Sequence, residues 1–124
     1  MSRKHLSITW LDEPAKHDYA AAESYLSLLF EAAAVTRHVK KLRHAHICSF
    51  AAKDLLRAST LSRLGVSNSH VECDREKIMK GDALSPILLV RDVKNARLII
   101  ADGYHRLCAV YSLDEDATIP ARIA

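Results

Sequence analysis

Apolar residues recur at helical spacing through the first half of this chain and gather into short continuous runs in the second. Across residues 19–33, Tyr19, Ala22, Leu26, Leu29, Phe30 and Ala33 are separated by steps of three, four and seven, which predicts one helix with Pro14 or Asp18 at its start. A basic stretch continues or follows that helix, and 47–50 reads as a short extended piece. A second amphipathic helix runs through Ala52, Leu55, Leu56 and Ser59, with a further turn through Leu61 and Leu64 and with Gly65 as its stop. A short helix is predicted from Asp74, as N-cap, to Gly81.

The runs 86–90 and 98–100 then predict two strands whose connection, 92–96, has hairpin length. Tyr104, Leu107, Cys108 and Tyr111 stand at i, i+3, i+4 and i+7, so a helix packs that face on the sheet and turns His105 and Arg106 toward solvent or a ligand. A last strand spans 118–123. The predicted class is α+β in one domain, residues 1–124, with a mainly helical part (1–69) packed on a small mixed sheet and its following helix (70–124). The expected buried set is Leu26, Leu29, Phe30, Leu55, Leu88, Ile99, Leu107 and Tyr111.

Composition narrows the choices only a little. With 49% hydrophobic and 27% charged residues, the 124-residue chain resembles neither a disordered nor a fibrous sequence. No segment reaches the roughly 20 uninterrupted apolar residues of a membrane span, and Met1-Ser2-Arg3-Lys4-His5 opens no signal-type segment. The cytoplasm is the expected compartment. Three cysteines, Cys48, Cys73 and Cys108, lack C-x-x-C spacing and fit reduced thiols, with Cys108 in the core. The net charge of +3 is too small to argue for nucleic acid from the total. Arg37, Lys40, Lys41 and Arg43 nevertheless cluster with His38, His44 and His46; this stretch could touch DNA phosphates or form a solvated helix face. His44, His46 and Cys48 alternate, so on an extended segment they would share one face open to a metal.

The junction at residues 99–109 concentrates the candidate chemistry. A buried strand that feeds directly into a helix leaves the first helical N–H groups unpaired and aimed at one spot, where anions are favoured. On one reading, Gly103 lets backbone approach a phosphate, the N–H groups around Tyr104 and His105 donate to it, and Arg106 neutralises charge. His105 then gives a hydrogen bond or proton. Asp102 would hold Mg²⁺ or act as a base, because a carboxylate repels phosphate unless a cation or a proton intervenes. On the plain structural reading, Asp102 is an N-cap, Gly103 permits a tight bend, and His105 and Arg106 are solvated. Lys53 and Arg57, four apart on one helix, could add positive charge to a ligand or form a surface face with Asp54. On the same plain reading Ser85-Pro86 only shapes the start of its strand.

The succession Leu84-Ser85-Pro86-Ile87-Leu88-Leu89-Val90, then Ile99-Ile100-Ala101-Asp102-Gly103-Tyr104-His105-Arg106, then Ala109, resembles the ParB/sulfiredoxin fold over about residues 70–124. In that fold a P-I-x-V strand, a second strand and a D-G-H-x-R type of turn open a helix that cradles nucleotide phosphates. Members include partition proteins that bind CTP, sulfiredoxins that bind ATP and a serine kinase that uses ADP. Residues 52–59 also look like part of a small ParB-like family spanning the whole chain, although no function follows from that segment. Sulfiredoxins need a cysteine where this chain has Tyr104, which argues against their chemistry. Partition proteins continue into DNA-binding and dimerisation regions, whereas this sequence stops at Ala124, so a complete partition protein is not expected. The kinase relatives place a glutamate base before the fold's first helix, and Glu72 is the nearest by position.

The resemblance thus implies a nucleotide- or phosphate-binding domain for ATP, ADP or CTP with Mg²⁺, extending to a phosphotransferase or NTPase. The alternative is a nucleotide-sensing or DNA-associated module without catalysis. Expected binding residues are Gly103, Tyr104, His105, Arg106, Ser85, Lys53 and Arg57, with Asp102 and His105 as the catalytic pair and Asp102 on the metal.

Overall fold

A computed structural model describes residues 7–65 and 67–124; the Met1-to-His5 segment on which the signal reading rested lies outside them. Among the described residues five helices and four strands follow in the order α1 (Lys16–Leu26), α2 (Ala32–His44), β1 (Cys48–Ala51), α3 (Ala52–Ser59), α4 (Ser69–Lys80), β2 (Ile87–Asp92), β3 (Arg97–Asp102), α5 (Tyr104–Leu113) and β4 (Thr118–Ile123). The sheet order is β1-β4-β2-β3. β1 with β4 and β2 with β3 are antiparallel, while β2 and β4 run parallel, so the sheet is mixed. This is the α+β class the sequence predicts.

Both faces of the sheet are covered, which explains the continuous apolar runs of β2 and β3. Leu88, Val90, Ile99 and Ala101 pack with Tyr19, Ala22 and Leu26 of α1 and with Val35, Val39 and Leu42 of α2. Ile87, Leu89 and Ile100 pack on the opposite side with Leu55, Val71, Ile78 and Leu107 from α3, α4 and α5. The helical half therefore divides, with α1 and α2 on one face and α3 on the other. No helix among the described residues is long and apolar enough to cross a membrane.

The predicted helix over 19–33 is broken. α1 stops at Leu26, a turn through Ser27–Phe30 is closed by the Phe30 N–H on the Leu26 carbonyl at 2.9 Å, and α2 restarts at Ala32. A single helix from 16 to 44 would be roughly 43 Å long at 1.5 Å per residue, about twice the length of a six-residue strand. Breaking it lays two apolar stripes on one sheet face, and Leu29, in the turn, is 43% exposed instead of buried. Phe30 and Tyr111 are partly buried against the core, and the other five expected core residues are buried. α2 also absorbs His44, so His44, His46 and Cys48 never share an extended face.

α3 ends at Ser59, where Thr60 turns left-handed at φ 60°, and residues 61–65 form no further helical turn. α4 starts earlier than its Asp74 reading: Asn68 is the N-cap and accepts from the His70 and Val71 N–H groups at 3.0 and 3.2 Å, which leaves Asp74 inside the helix. Its end at Gly81, φ 80°, agrees with the sequence. Arg122 of β4 joins the layers: its Nη1 donates to Tyr19 Oη at 2.9 Å and to the Arg43 carbonyl at 2.8 Å, at the open end of α2.

Two glycines at positive φ test how tightly the junctions are built. A methyl group on Gly81 would meet nothing within 4 Å, but on Gly103 (φ 108°) it would lie 2.3 Å from Ile87 Cγ2. We expect Gly81→Ala to cost about 1–2 kcal/mol from backbone strain alone. Gly103→Ala adds overpacking and should cost about 2–5 kcal/mol. Urea denaturation of both variants checks this; equal costs would contradict the contact with Ile87.

Candidate functional site

The β3–α5 junction is shaped by a register change. Leu89 pairs with Ile100 but Leu88 pairs with Asp102, so Ala101 is an extra residue in the β3 ladder. Strict alternation would send Asp102 to the face of Ile100; the bulge returns it to the face of Leu88, beneath α1. Gly103 then reverses the backbone, and α5 starts on the other side of the sheet.

Asp102 meets two partners there. Its Oδ2 accepts from Arg106 Nη2 at 2.5 Å, and Asp18 faces it across the same guanidinium. Asp18 sits three positions after the α1 N-cap, where its Oδ2 accepts the Ala15 N–H at 3.0 Å and lies 3.7 Å from Arg106 Nη1. Arg106 Nη1 also donates to the Ser85 carbonyl at 2.6 Å and to the Pro86 carbonyl at 3.3 Å. Two enclosed carboxyl groups thus share one enclosed guanidinium, with side-chain exposures of 7% for Asp18, 17% for Asp102 and 12% for Arg106. Burial pushes the Asp102 carboxyl up from 3.8 to about 6; Arg106 opposes the shift and the Asp18 carboxylate adds to it.

A cleft of about 460 Å³ opens beside this cluster. It is lined by Asp18 and His17 from α1, by His70, Cys73, Asp74 and Lys77 along one face of α4, by the Ser85 loop, and by Asp102, Gly103, His105 and Arg106. The His70 and His105 rings are 4.9 Å apart. Asp74, between α4 and α5, has its carboxyl raised by burial, against the pull of Lys77, Arg106, His105 and His70. The start of α5 carries no side-chain cap: Gly103 is the N-cap and offers only its carbonyl, to the Leu107 N–H at 3.0 Å. Asp102 is therefore not the cap.

The cleft brings together Asp102, Gly103, His105, Arg106 and Ser85, but not the rest of the expected set. Tyr104 turns its hydroxyl away, to the Ser62 carbonyl. Lys53 is held by Asp116 at 2.5 Å and Arg57 by Asp54 at 3.2 Å, and no residue of α3 lines the cleft. Glu72, on another face of α4, lies 3.4 Å from Arg75 and is also outside it. Arg106 borders the cleft, but carboxylates and carbonyls take its guanidinium. Asp18, His17, His70, Asp74 and Lys77 line the cleft without having been singled out as site residues. The His70, Asp74, Lys77 spacing on one helix was the available signal; the burial of Asp18 left none.

Mg²⁺ on Asp102 does not fit this arrangement. The guanidinium already takes the position of a cation, and among the described residues no group of three or more His, Cys, Asp or Glu side chains is placed to hold a metal ion.

Removing the guanidinium leaves two carboxyl groups enclosed without their counter-charge, so Arg106→Ala should lose about 3–5 kcal/mol in denaturant unfolding. The raised Asp102 group favours the folded state fully below its ordinary 3.8, and that favour is lost as pH rises through about 6. Asp102→Asn should therefore gain stability relative to wild type between pH 4 and 7 and hold a constant difference above. Urea midpoints across that range check it; a difference that does not change with pH contradicts the assignment. Compared with protein-family models, with curated proteins and with solved structures, the chain finds no match in any of the three.

Proposed function

We propose that the cleft binds the phosphate groups of a nucleotide or a related phosphorylated small molecule. The observation that carries this reading is the convergence of cation-forming side chains from three helices, His17 of α1, His70 and Lys77 of α4 and His105 of α5, on a cleft that also holds the uncapped start of α5. Unpaired N–H groups with imidazole and ammonium donors suit a multiply charged oxyanion. The ParB/sulfiredoxin resemblance of residues 70–124 points to the same ligand class and to ATP, ADP or CTP as its members. Arg106 then acts by holding Asp102 and the Ser85-Pro86 backbone in place, and His105 is the group at hand for proton transfer if the ligand is turned over as in a phosphotransferase or NTPase.

A second reading, a non-catalytic nucleotide-sensing or DNA-associated module, draws on α2. That helix contains no acidic residue, and Arg37, Lys40, Lys41 and His44, at i, i+3, i+4 and i+7, are all exposed. After burial, Lys41 and Arg37 are what hold the His38 imidazole below its ordinary range, as expected beside a positive surface.

A thermal-shift series with pyrophosphate, ATP, ADP and CTP, with and without Mg²⁺, tests the first reading. Ligand at 100 times its Kd stabilises by about 2.7 kcal/mol, a rise of several degrees. The rise should be lost in Lys77→Ala and His105→Ala, which leave the Arg106 cluster intact. No shift with any of these at millimolar concentration would remove the proposal. Duplex DNA binding that weakens steeply with salt and is lost in Arg37→Glu/Lys41→Glu would favour the second reading.

A further inference from the structure

We propose that Asp18 and Asp102 form a proton-sharing pair clamped by Arg106, and that this proton, rather than a divalent cation, allows an anion to lie beside Asp102 in the cleft. The inference rests on the phosphate-binding reading above and adds Asp18 to it as a positioning residue.

Charge counting on the geometry leads there. Asp18 and Asp102 face one enclosed guanidinium, with Asp18 Oδ2 3.7 Å from Nη1 and Asp102 Oδ2 2.5 Å from Nη2, and that guanidinium offsets one negative charge. Neither carboxyl can turn away. Asp18 is tied to the Ala15 N–H at 3.0 Å, and Asp102 is fixed at the end of β3 by the bulge and by Arg106 at 2.5 Å. A second negative charge in this enclosure is therefore disfavoured, and a proton on the pair removes it. The raised Asp102 group agrees with this count.

Once protonated, Asp102 changes from a group that repels phosphate into a neutral hydrogen-bond donor beside the α5 amides. Other groups face the pair: His17 on α1, with Nε2 3.4 Å from Asp18 Oδ1, His70, Asp74 and Lys77 on α4, and His105 with Arg106 on α5. These groups also act on an anion in the cleft, so the contribution of the pair has to be read as a difference between variants. Asp102→Asn keeps every imidazole and imitates the protonated form.

The experiment is isothermal titration calorimetry of pyrophosphate in EDTA, between pH 5.5 and 8 and in buffers of differing ionisation enthalpy, on wild type, Asp102→Asn and Asp18→Asn. Carboxyl-carbon NMR titration of the free proteins accompanies it. Wild type should take up about one more proton on binding than Asp102→Asn near neutral pH. Asp102→Asn should bind about tenfold or more tightly than wild type at pH 8 and equal it at pH 5.5. In the free protein the Asp102 carboxyl should titrate above its ordinary range, and Asp18→Asn should bring it down toward that range.

Identical pH profiles for wild type and Asp102→Asn, or binding that requires Mg²⁺, overturn the inference while the phosphate reading survives. An Asp102 carboxyl that titrates in its ordinary range, or that Asp18→Asn leaves unmoved, overturns it whatever binds. Failure of pyrophosphate to bind at every pH, with the raised Asp102 titration present, overturns the phosphate reading and with it the role of the pair in the cleft.

Discussion

Everything at the cleft depends on one guanidinium. Arg106 leaves the first turn of α5, reaches back over Gly103 and meets the end of β3, the start of β2 and the start of α1 through Asp102, the Ser85 and Pro86 carbonyls and Asp18. It ties α5 to three other segments, and of these α1 lies on the opposite side of the sheet from α5. Enclosed ion pairs of this kind add little net stability relative to an apolar replacement, but they penalise any arrangement in which a partner is missing. The cluster therefore acts mainly as a constraint on geometry, fixing where α1 starts and how α5 leaves the sheet.

The constraint also explains the glycine and the bulge. α5 begins so close to Ile87 that no Cβ fits at position 103, so packing of strand against helix is sufficient reason for Gly103 without any ligand. The extra residue at Ala101 turns Asp102 toward Asp18 rather than toward α3 and α4. The acidic wall of the cleft is thereby decided by backbone, and the basic wall by side chains spaced along α4.

Much of the fold was legible because its signals are local. The apolar runs of β2 and β3, the turn at 92–96, Gly81 as a helix stop and the i, i+3, i+4, i+7 face of α5 follow from periodicity and turn chemistry alone. What escaped was set at a distance. The break between α1 and α2 follows from the width of a sheet that forms later in the chain. Lys53 and Arg57 have the right charge and spacing for a ligand, yet α3 carries them to Asp116 and Asp54. Asp18 reads as a helix-start residue, which it also is; its meeting with Arg106 joins positions 88 residues apart and depends on a bulge that hydrophobic patterning does not show.

The strand order has a consequence for how the chain reaches this state. β4 is the last strand in sequence but lies in the interior of the sheet, and among the described residues β1 pairs with β4 alone. Until the segment from Thr118 to Ile123 is in place, β1 has no ladder and β2 has only its hairpin partner β3. Arg122, which ties β4 to Tyr19 and to the end of α2, arrives with it. The helical hairpin and the β2–β3 hairpin are low-contact-order units able to form early, whereas closure of the sheet is a long-range event delayed by loop entropy. During synthesis the apolar undersides of α1 and α2 would therefore wait for a complete sheet until the chain was made through β4, an interval in which a nascent chain is most exposed to aggregation and to chaperones.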